Sequence, residues 1–106
     1  MQLNIQSPPI VSVIITSYNR EFCIEEAIQS VLNSSFDNYE LIIVDDSSTD
    51  NTQSIILDYS QRYQQIRFFK NPQNLGEYEN RNLAASYATG KYIKYLDSDD
   101  IMSVDC

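Results

Sequence analysis

The chain has 106 residues, 42% of them apolar and 21% charged, and its fifteen acids against seven bases give a net charge of −8. That size suits one domain with one core, held without much margin. The charge argues against a nucleic-acid backbone or an anionic membrane surface as the main partner, since both need a basic face; it is compatible with binding a divalent cation.

Residues 1–9 read as a flexible lead and residues 10–106 as the domain. The opening stretch, MQLNIQSPPI, is polar and proline-bearing, with no signal-peptide pattern. IVSVIIT, Ile10 to Thr16, is a β-branched run of strand length, and SYNR breaks it. Within residues 21–34, Ile24, Ala27, Ile28, Val31 and Leu32 recur at helical spacing and make one apolar stripe. Glu21, Glu25 and Glu26 lie in the first turns of that helix, where its dipole favours anions. YELIIVDD, Tyr39 to Asp46, is a second buried strand that ends in acids. SSTDNT supplies cap residues for a helix over 51–63, with Ile55, Ile56, Tyr59 and Tyr63 on one side. IRFFKN, 66–71, is a third strand, and NPQNLG is a loop punctuated by Pro72 and Gly76. Residues 77–89 form a third helix with Leu83, Ala84, Tyr87 and Ala88 as its stripe and Gly90 as its C-cap. KYIKYLD, 91–97, is a fourth strand, and no apolar run approaches the ~20 residues of a membrane span.

The order β-α-β-α-β-α-β predicts an α/β, Rossmann-like domain: a mostly parallel sheet with helices on both faces. VSVII and ELIIV are almost continuously apolar, as strands covered on both faces should be. In such a sheet every carboxyl end points to one edge, and ligands bind there. The first strand ends in Thr16-Ser17-Tyr18-Asn19, the second in Asp45-Asp46-Ser47-Ser48 and the fourth in Asp97-Ser98-Asp99-Asp100. Carboxylates gathered in one crevice raise each other's pKa unless a cation neutralises them. Oxygen ligands without His or Cys suit Mg²⁺ or Mn²⁺, completed by substrate phosphates. A plainer reading has the acidic tetrad merely starting a helix or turn; the second acidic pair at a neighbouring strand end weighs against it. Asp46 is placed to accept hydrogen bonds from a base or ribose, and Asp45 either does the same or ties back to the loop. Tyr18 is placed to stack on or edge a nucleobase, and its alternative is an exposed turn aromatic. Arg81 either pairs with the acids or a phosphate, or is a solvated helix residue.

Competing motifs fail on composition. Gly76 and Gly90 are the only glycines, so neither a phosphate loop nor a GxGxxG fingerprint can form. There is no histidine for a Ser-His-Asp arrangement. Cys23 and Cys106 make no CxxC pair, so a zinc site is not expected, and both are read as free thiols in a reducing compartment. A phospho-acceptor receiver would want acids where TSYN stands. A nucleotidyltransferase would want a glycine-rich, basic loop where SYNREF stands.

VSVIITSYNR, ELIIVDDSSTDNT and NLGEYENRNLAASYATGKYIKYLDSDD, in this order and spacing, resemble the start of a family 2 glycosyltransferase of GT-A fold. The resemblance runs from about Val11 to Met102. It implies a nucleotide-diphospho-sugar donor, UDP- or GDP-linked, at the strand ends. Thr16 and Tyr18 would line the nucleobase pocket, and Asp46 would hydrogen-bond the base with Asp45 nearby. Asp97-Ser98-Asp99 matches the family's DxD motif. Asp97 would lie near the ribose and is also a candidate metal ligand, Ser98 would lie beside the nucleotide, and Asp99 would bind the metal that bridges the phosphates; Asp100 is an alternative ligand or supports the ligands from behind. Asn74, Gly76, Arg81 and Asn82 match a mainly structural pattern, with Arg81 supporting the acidic loop.

Family catalytic domains run to roughly twice this length, and their general base lies well downstream of DxD. Asp105 is too close to match it, so no catalytic residue is assigned and the acceptor half is taken as absent, a truncated GT-A fold. The function implied is the donor-binding domain of an inverting glycosyltransferase, with Mn²⁺ or Mg²⁺, acting on a polysaccharide, glycan or lipid acceptor. The alternative is a truncated or degenerate module that works by protein association, forming a homo-oligomer through an exposed sheet edge. The expected location is the cytoplasm, with peripheral attachment at the membrane left open for a longer parent.

Overall fold

The computed structural model describes residues 9–34 and 38–96. Its elements are β1 (Val11–Ser17), α1 (Ile24–Leu32), β2 (Tyr39–Asp45), α2 (Thr52–Arg62), β3 (Ile66–Lys70), α3 (Glu77–Ser86) and β4 (Tyr92–Tyr95). The order is the one the sequence predicts. The four strands form one sheet, β3-β2-β1-β4, and every pairing is parallel. Val11 pairs with Tyr39 and with Tyr92, and Leu41 pairs with Ile66.

The pleat of β1 and β2 sorts their apolar residues onto two faces. Val13, Ile15, Leu41 and Ile43 point to one side, where they pack with Ile24, Ala27, Ile28 and Val31 of α1 and Ile56 and Tyr59 of α2. Ile14, Ile42 and Val44 point to the other side, which α3 covers with Ala84, while Phe69, Tyr87 and Ala88 pack against the cluster only in part. The central strands are apolar throughout because both faces are covered. The cover is unequal: two helices on one face and one on the other.

The α1 stripe falls as its spacing predicts, with Leu32 only partly buried. The α3 stripe differs. Its buried residues are Asn80 and Ala84, and Leu83 is half-buried outside both clusters. Helix α3 closes early: Tyr87 and Ala88 continue the turn by donating to the carbonyls of Ala84 and Ala85. Tyr87 then stacks on Phe69 with ring centroids 3.9 Å apart.

Gly90 is therefore not the C-cap. Its N–H donates to Ser12 Oγ at 2.8 Å, and a Cβ there would stand 2.7 Å from that oxygen and 2.8 Å from Ser12 N. Close approach of two backbones, not a left-handed turn, requires glycine at this position. Among the described residues strand β4 is an edge strand paired only with β1, and it is exposed along its whole length. Cys23 is buried and, contrary to the free-thiol reading, is not a free thiol; one cysteine at a helix start carries no sequence signal of its redox state. Among the described residues no helix is long and apolar enough to cross a membrane.

One buried acid fastens the α3 side. Glu40 of β2 accepts from Ser12 Oγ at 2.6 Å, Thr89 N at 2.7 Å, Thr89 Oγ1 at 2.9 Å and Arg67 Nη1 at 2.9 Å. Arg67 also donates to the Tyr87 carbonyl at 2.8 Å. Burial pushes the Glu40 carboxyl up, but the bonds from Ser12, Thr89 and Arg67 outweigh it and hold the group below its ordinary value of 4.5. A depressed carboxylate stabilises the fold above its unfolded pKa and loses that contribution as pH falls through the folded one. Glu40→Ala should therefore cost about 3 kcal/mol in urea unfolding at neutral pH. It should also flatten the loss of stability below pH 4.5. An unchanged midpoint would mean the network contributes nothing.

Candidate functional site

The carboxyl ends of the parallel strands, Ser17, Asp45, Lys70 and Tyr95, share one edge of the sheet. From β1 to β3 the chain steps one way across the sheet; β4 is then placed on the far side of β1. The reversal lies between β1 and β4, and that is where open α/β sheets bind ligands. The chain leaves β4 through Leu96, whose N–H donates to Ile14 O at 2.8 Å. Asp97, Ser98, Asp99 and Asp100, the expected ribose and metal contacts, lie outside the described residues. Among the described residues no cluster of three metal-ligating side chains occurs.

The loops after β1 and β2 are stitched to each other. Asn19 N donates to Ser48 Oγ at 2.8 Å, and Thr49 N donates back to Asn19 Oδ1 at 2.8 Å. Arg20 N donates to Thr52 Oγ1 at 2.9 Å, and Asn51 N to Glu21 Oε1 at 3.0 Å. Asp50 accepts from Thr52 N, Thr52 Oγ1 and Glu21 N. Burial pushes the Asp50 carboxyl up, but these bonds outweigh it and leave the group below its ordinary value. Thr16 is half-buried, and Tyr18 is 44% exposed at the rim. Asn19 and Ser47 adopt positive φ, 52° and 67°.

Asp45 and Asp46 diverge, as consecutive residues leaving a strand should. Asp45 is fully buried. It accepts from Ser17 Oγ at 2.8 Å, Ser48 N at 2.8 Å, Ser48 Oγ and Gln53 Nε2 at 2.8 Å. A carboxylate offers about four acceptor positions, so its capacity is used. Asp46 turns to the loop before α3. Its Oδ1 accepts from Leu75 N at 2.7 Å and Asn71 Nδ2 at 2.8 Å, and its Oδ2 from Gly76 N at 2.9 Å. Among the described residues one of its about four acceptor positions is left over. Asn74 Nδ2 closes the same loop onto the Asp46 carbonyl at 3.1 Å.

Two buried amides that the sequence reading passed over complete the arrangement. Asn71 Nδ2 also donates to Asn80 Oδ1 at 2.8 Å, and Asn80 Nδ2 donates to Val44 O at 3.2 Å. The available signal was Asn80's place four residues before Ala84, a polar residue on a buried helical stripe. Arg81, the next residue, sets its guanidinium 5.2 Å from the centroid of the Tyr95 ring, one residue before Leu96. A cleft of about 320 Å³, lined by Pro9, Tyr39, Glu40, Gln65 and Arg67 among others, lies at the opposite edge and includes none of the predicted site residues.

The loop conformations give two substitutions of opposite sign. Ser47 holds a left-handed conformation that costs a side-chain-bearing residue roughly 1 kcal/mol, so Ser47→Gly should stabilise the fold by about 0.5 kcal/mol. Gly76 has φ 92° and ψ 156°, a region open essentially to glycine alone. A Cβ at Gly76 would meet nothing within 4 Å, so Gly76→Ala should cost about 1–3 kcal/mol through backbone strain alone. Thermal unfolding of both variants checks the two signs.

Comparison with known proteins agrees with this geometry. The family model described as Glycosyl transferase family 2 matches residues 12–106. The chain is 42% identical over 92 residues to UDP-Glc:alpha-D-GlcNAc-diphosphoundecaprenol beta-1,3-glucosyltransferase WfgD of Escherichia coli, covering 87% of this chain and 36% of that protein. It is 36% identical over 94 residues to the GalNAc(5)-diNAcBac-PP-undecaprenol beta-1,3-glucosyltransferase of Campylobacter jejuni, covering 87% and 30%. Among solved structures it superposes on the mannosyltransferase PcManGT from Pyrobaculum calidifontis, in complex with GDP-Man and Mn²⁺. That match has a TM-score of 0.79 and 26% identity, over 88% of this chain and 28% of that one. It also superposes on S. aureus TarS 1-349 in complex with UDP-GlcNAc, with a TM-score of 0.77 and 33% identity over 84% and 26%. These neighbours are GT-A glycosyltransferases, so the α/β sheet is that of the GT-A fold. The chain spans about a third of the length of the curated relatives it matches. With the family model covering almost its whole length, the chain belongs to glycosyltransferase family 2.

Proposed function

We propose that this chain is the donor-binding domain of an inverting glycosyltransferase, holding a UDP- or GDP-linked sugar with Mn²⁺ or Mg²⁺ at the carboxyl edge of the sheet. The observation that carries the reading is the meeting of the β1, β2 and β4 exits at the reversal of strand order. Structural neighbours that bind GDP-Man with Mn²⁺, or UDP-GlcNAc, support it.

Thr16 and Tyr18 flank the base. Asp46 offers its remaining acceptor position to a base N–H, while Asp45 holds the loop in shape with its capacity spent. Asp97 and Ser98 meet the ribose, Asp99 holds the metal, and Asp100 is the alternative ligand. Their donor set is oxygen alone, which fits Mg²⁺ or Mn²⁺ and not a thiolate or imidazole metal. When bound, the ion offsets the negative charge of the departing diphosphate, an effect worth several kcal/mol. Arg81 steadies β4 where it enters the acidic segment. No residue of this chain is assigned the deprotonation of the acceptor hydroxyl that an inverting transfer requires. The place of action is the cytoplasm, with peripheral attachment at the membrane face. Relatives named for undecaprenol-linked substrates support that location.

Calorimetric titration with UDP and with GDP, each with and without Mn²⁺, tests the reading. The expected result is binding that tightens with the metal and loses that gain on EDTA addition. Asp99→Asn should abolish the metal-dependent part without lowering the unfolding temperature. Absence of metal-dependent heat from folded protein would overturn the proposal.

One observation favours the association reading. Tyr92, Ile93 and Tyr95 of the edge strand are 60%, 45% and 45% exposed. Antiparallel pairing with a second copy sets Tyr92 opposite Tyr95 and Ile93 opposite Lys94, with no like charges facing. Light scattering distinguishes the readings: a stable dimer indifferent to nucleotide supports association, and a monomer that binds UDP rejects it.

A further inference from the structure

We infer that Asn19 is a positioning residue that presets the Tyr18 ring as a stacking platform for the base, an inference that rests on the donor-binding reading above. Tyr18 stands at the rim, 44% exposed. Among the described residues its side chain makes no hydrogen bond, and its carbonyl accepts from Arg20 Nη1 at 3.1 Å. The backbone on either side therefore sets where the ring points. Before it, Ser17 Oγ donates to Asp45 at 2.8 Å, and the Ser17 carbonyl accepts from Asp46 N at 2.8 Å. After it, Asn19 turns the chain at φ 52°. The N–H of Asn19 donates to Ser48 Oγ at 2.8 Å, and its Oδ1 accepts from Thr49 N at 2.8 Å. Ser48 is held in turn by Asp45, to which it donates from both N–H and Oγ. One buried carboxylate thus fixes the residue before Tyr18 directly and the residue after it through Ser48.

An aromatic face can stack on any base, because each base has a π-face. The strength of that contact depends on how much must still be ordered when the base arrives, and a ring fixed in advance removes that cost. Asn19 meets two demands at once. It tolerates the left-handed conformation, which few residues with side chains do, and it carries an acceptor that reaches Thr49 N. Glycine meets only the first demand. Asn19→Gly therefore keeps the turn and the Ser48 bond and removes one tie to the facing loop. That tie lies at the surface, so water takes its place and the fold keeps its stability. The bonds of Arg20 and Glu21 hold the loop farther along, two and three residues from Tyr18. What the substitution releases is the segment next to the ring.

The test is a double-mutant cycle read by calorimetric titration of the full chain with UDP and Mn²⁺. It compares wild type, Asn19→Gly, Tyr18→Ala and the variant that carries both substitutions. Asn19→Gly should bind UDP about fivefold more weakly, with little change in unfolding temperature. Tyr18→Ala, which removes the platform itself, should bind about tenfold more weakly. In the Tyr18→Ala background, Asn19→Gly should weaken UDP no further, because a residue that acts through the ring then has nothing to act on. A merely structural role would lower the affinity by the same factor in both backgrounds, and that result would overturn the inference. So would unchanged UDP affinity in Asn19→Gly or in Tyr18→Ala. The donor-binding reading would survive each of these outcomes. Failure of folded wild-type protein to bind UDP would overturn both.

Discussion

The two adjacent carboxylates that end β2 organise the edge where ligands are expected. Each lies buried at the carboxyl edge of a parallel sheet, where unpartnered charge would be costly. Each is satisfied by a different loop: Asp45 by Ser17, Ser48 and Gln53, and Asp46 by Asn71, Leu75 and Gly76. Neighbouring like charges inside a fold repel, and separation onto opposite loops is what makes the pair tolerable. The loops after β1, β2 and β3 take their shapes from this division. Among the described residues, the end of one strand thus ties together the loops on both its sides.

The chain does this with little glycine. Loop reversals that commonly use glycine fall on Asn19, Asn38 and Ser47, all at positive φ. Asn tolerates that conformation because its side chain can hydrogen-bond nearby backbone. Asn19 reaches further, accepting from Thr49 in the facing loop. Gly76 is retained where even Asn would be strained, and Gly90 where two backbones touch.

Much of the architecture was legible because β1 and β2 are apolar on both faces and α1 carries an uninterrupted stripe. Those signals are local: period, length and flanking residues. What escaped was set by distant partners. Gly90 follows a helix-like stretch and so resembles a cap, yet its role depends on Ser12, on a different strand. Asn80 looks like a surface residue until Asn71 and Val44 are brought beside it. Glu40 opens a β-rich run and gives no hint that Arg67 and Thr89 will surround it. At the edge, Thr16, Tyr18, Asp45 and Asp46 could be assembled from parallel topology alone. The unequal commitments of the two acids could not, because counting acceptor positions needs the loops in place.

The unequal cover of the sheet has a consequence for motion. The α1–α2 face is filled by long aliphatic chains from two helices, whereas α3 buries only Ala84 and the amide of Asn80 among its own residues. Apolar anchorage sets how readily a segment detaches while the rest stays intact. Helix α3 and β4 therefore form the first unit to open, with the amide protons of that pair exchanging ahead of those in β1 and β2. Opening of this kind would free one edge of the sheet while the α1–α2 side keeps β1, β2 and β3 together.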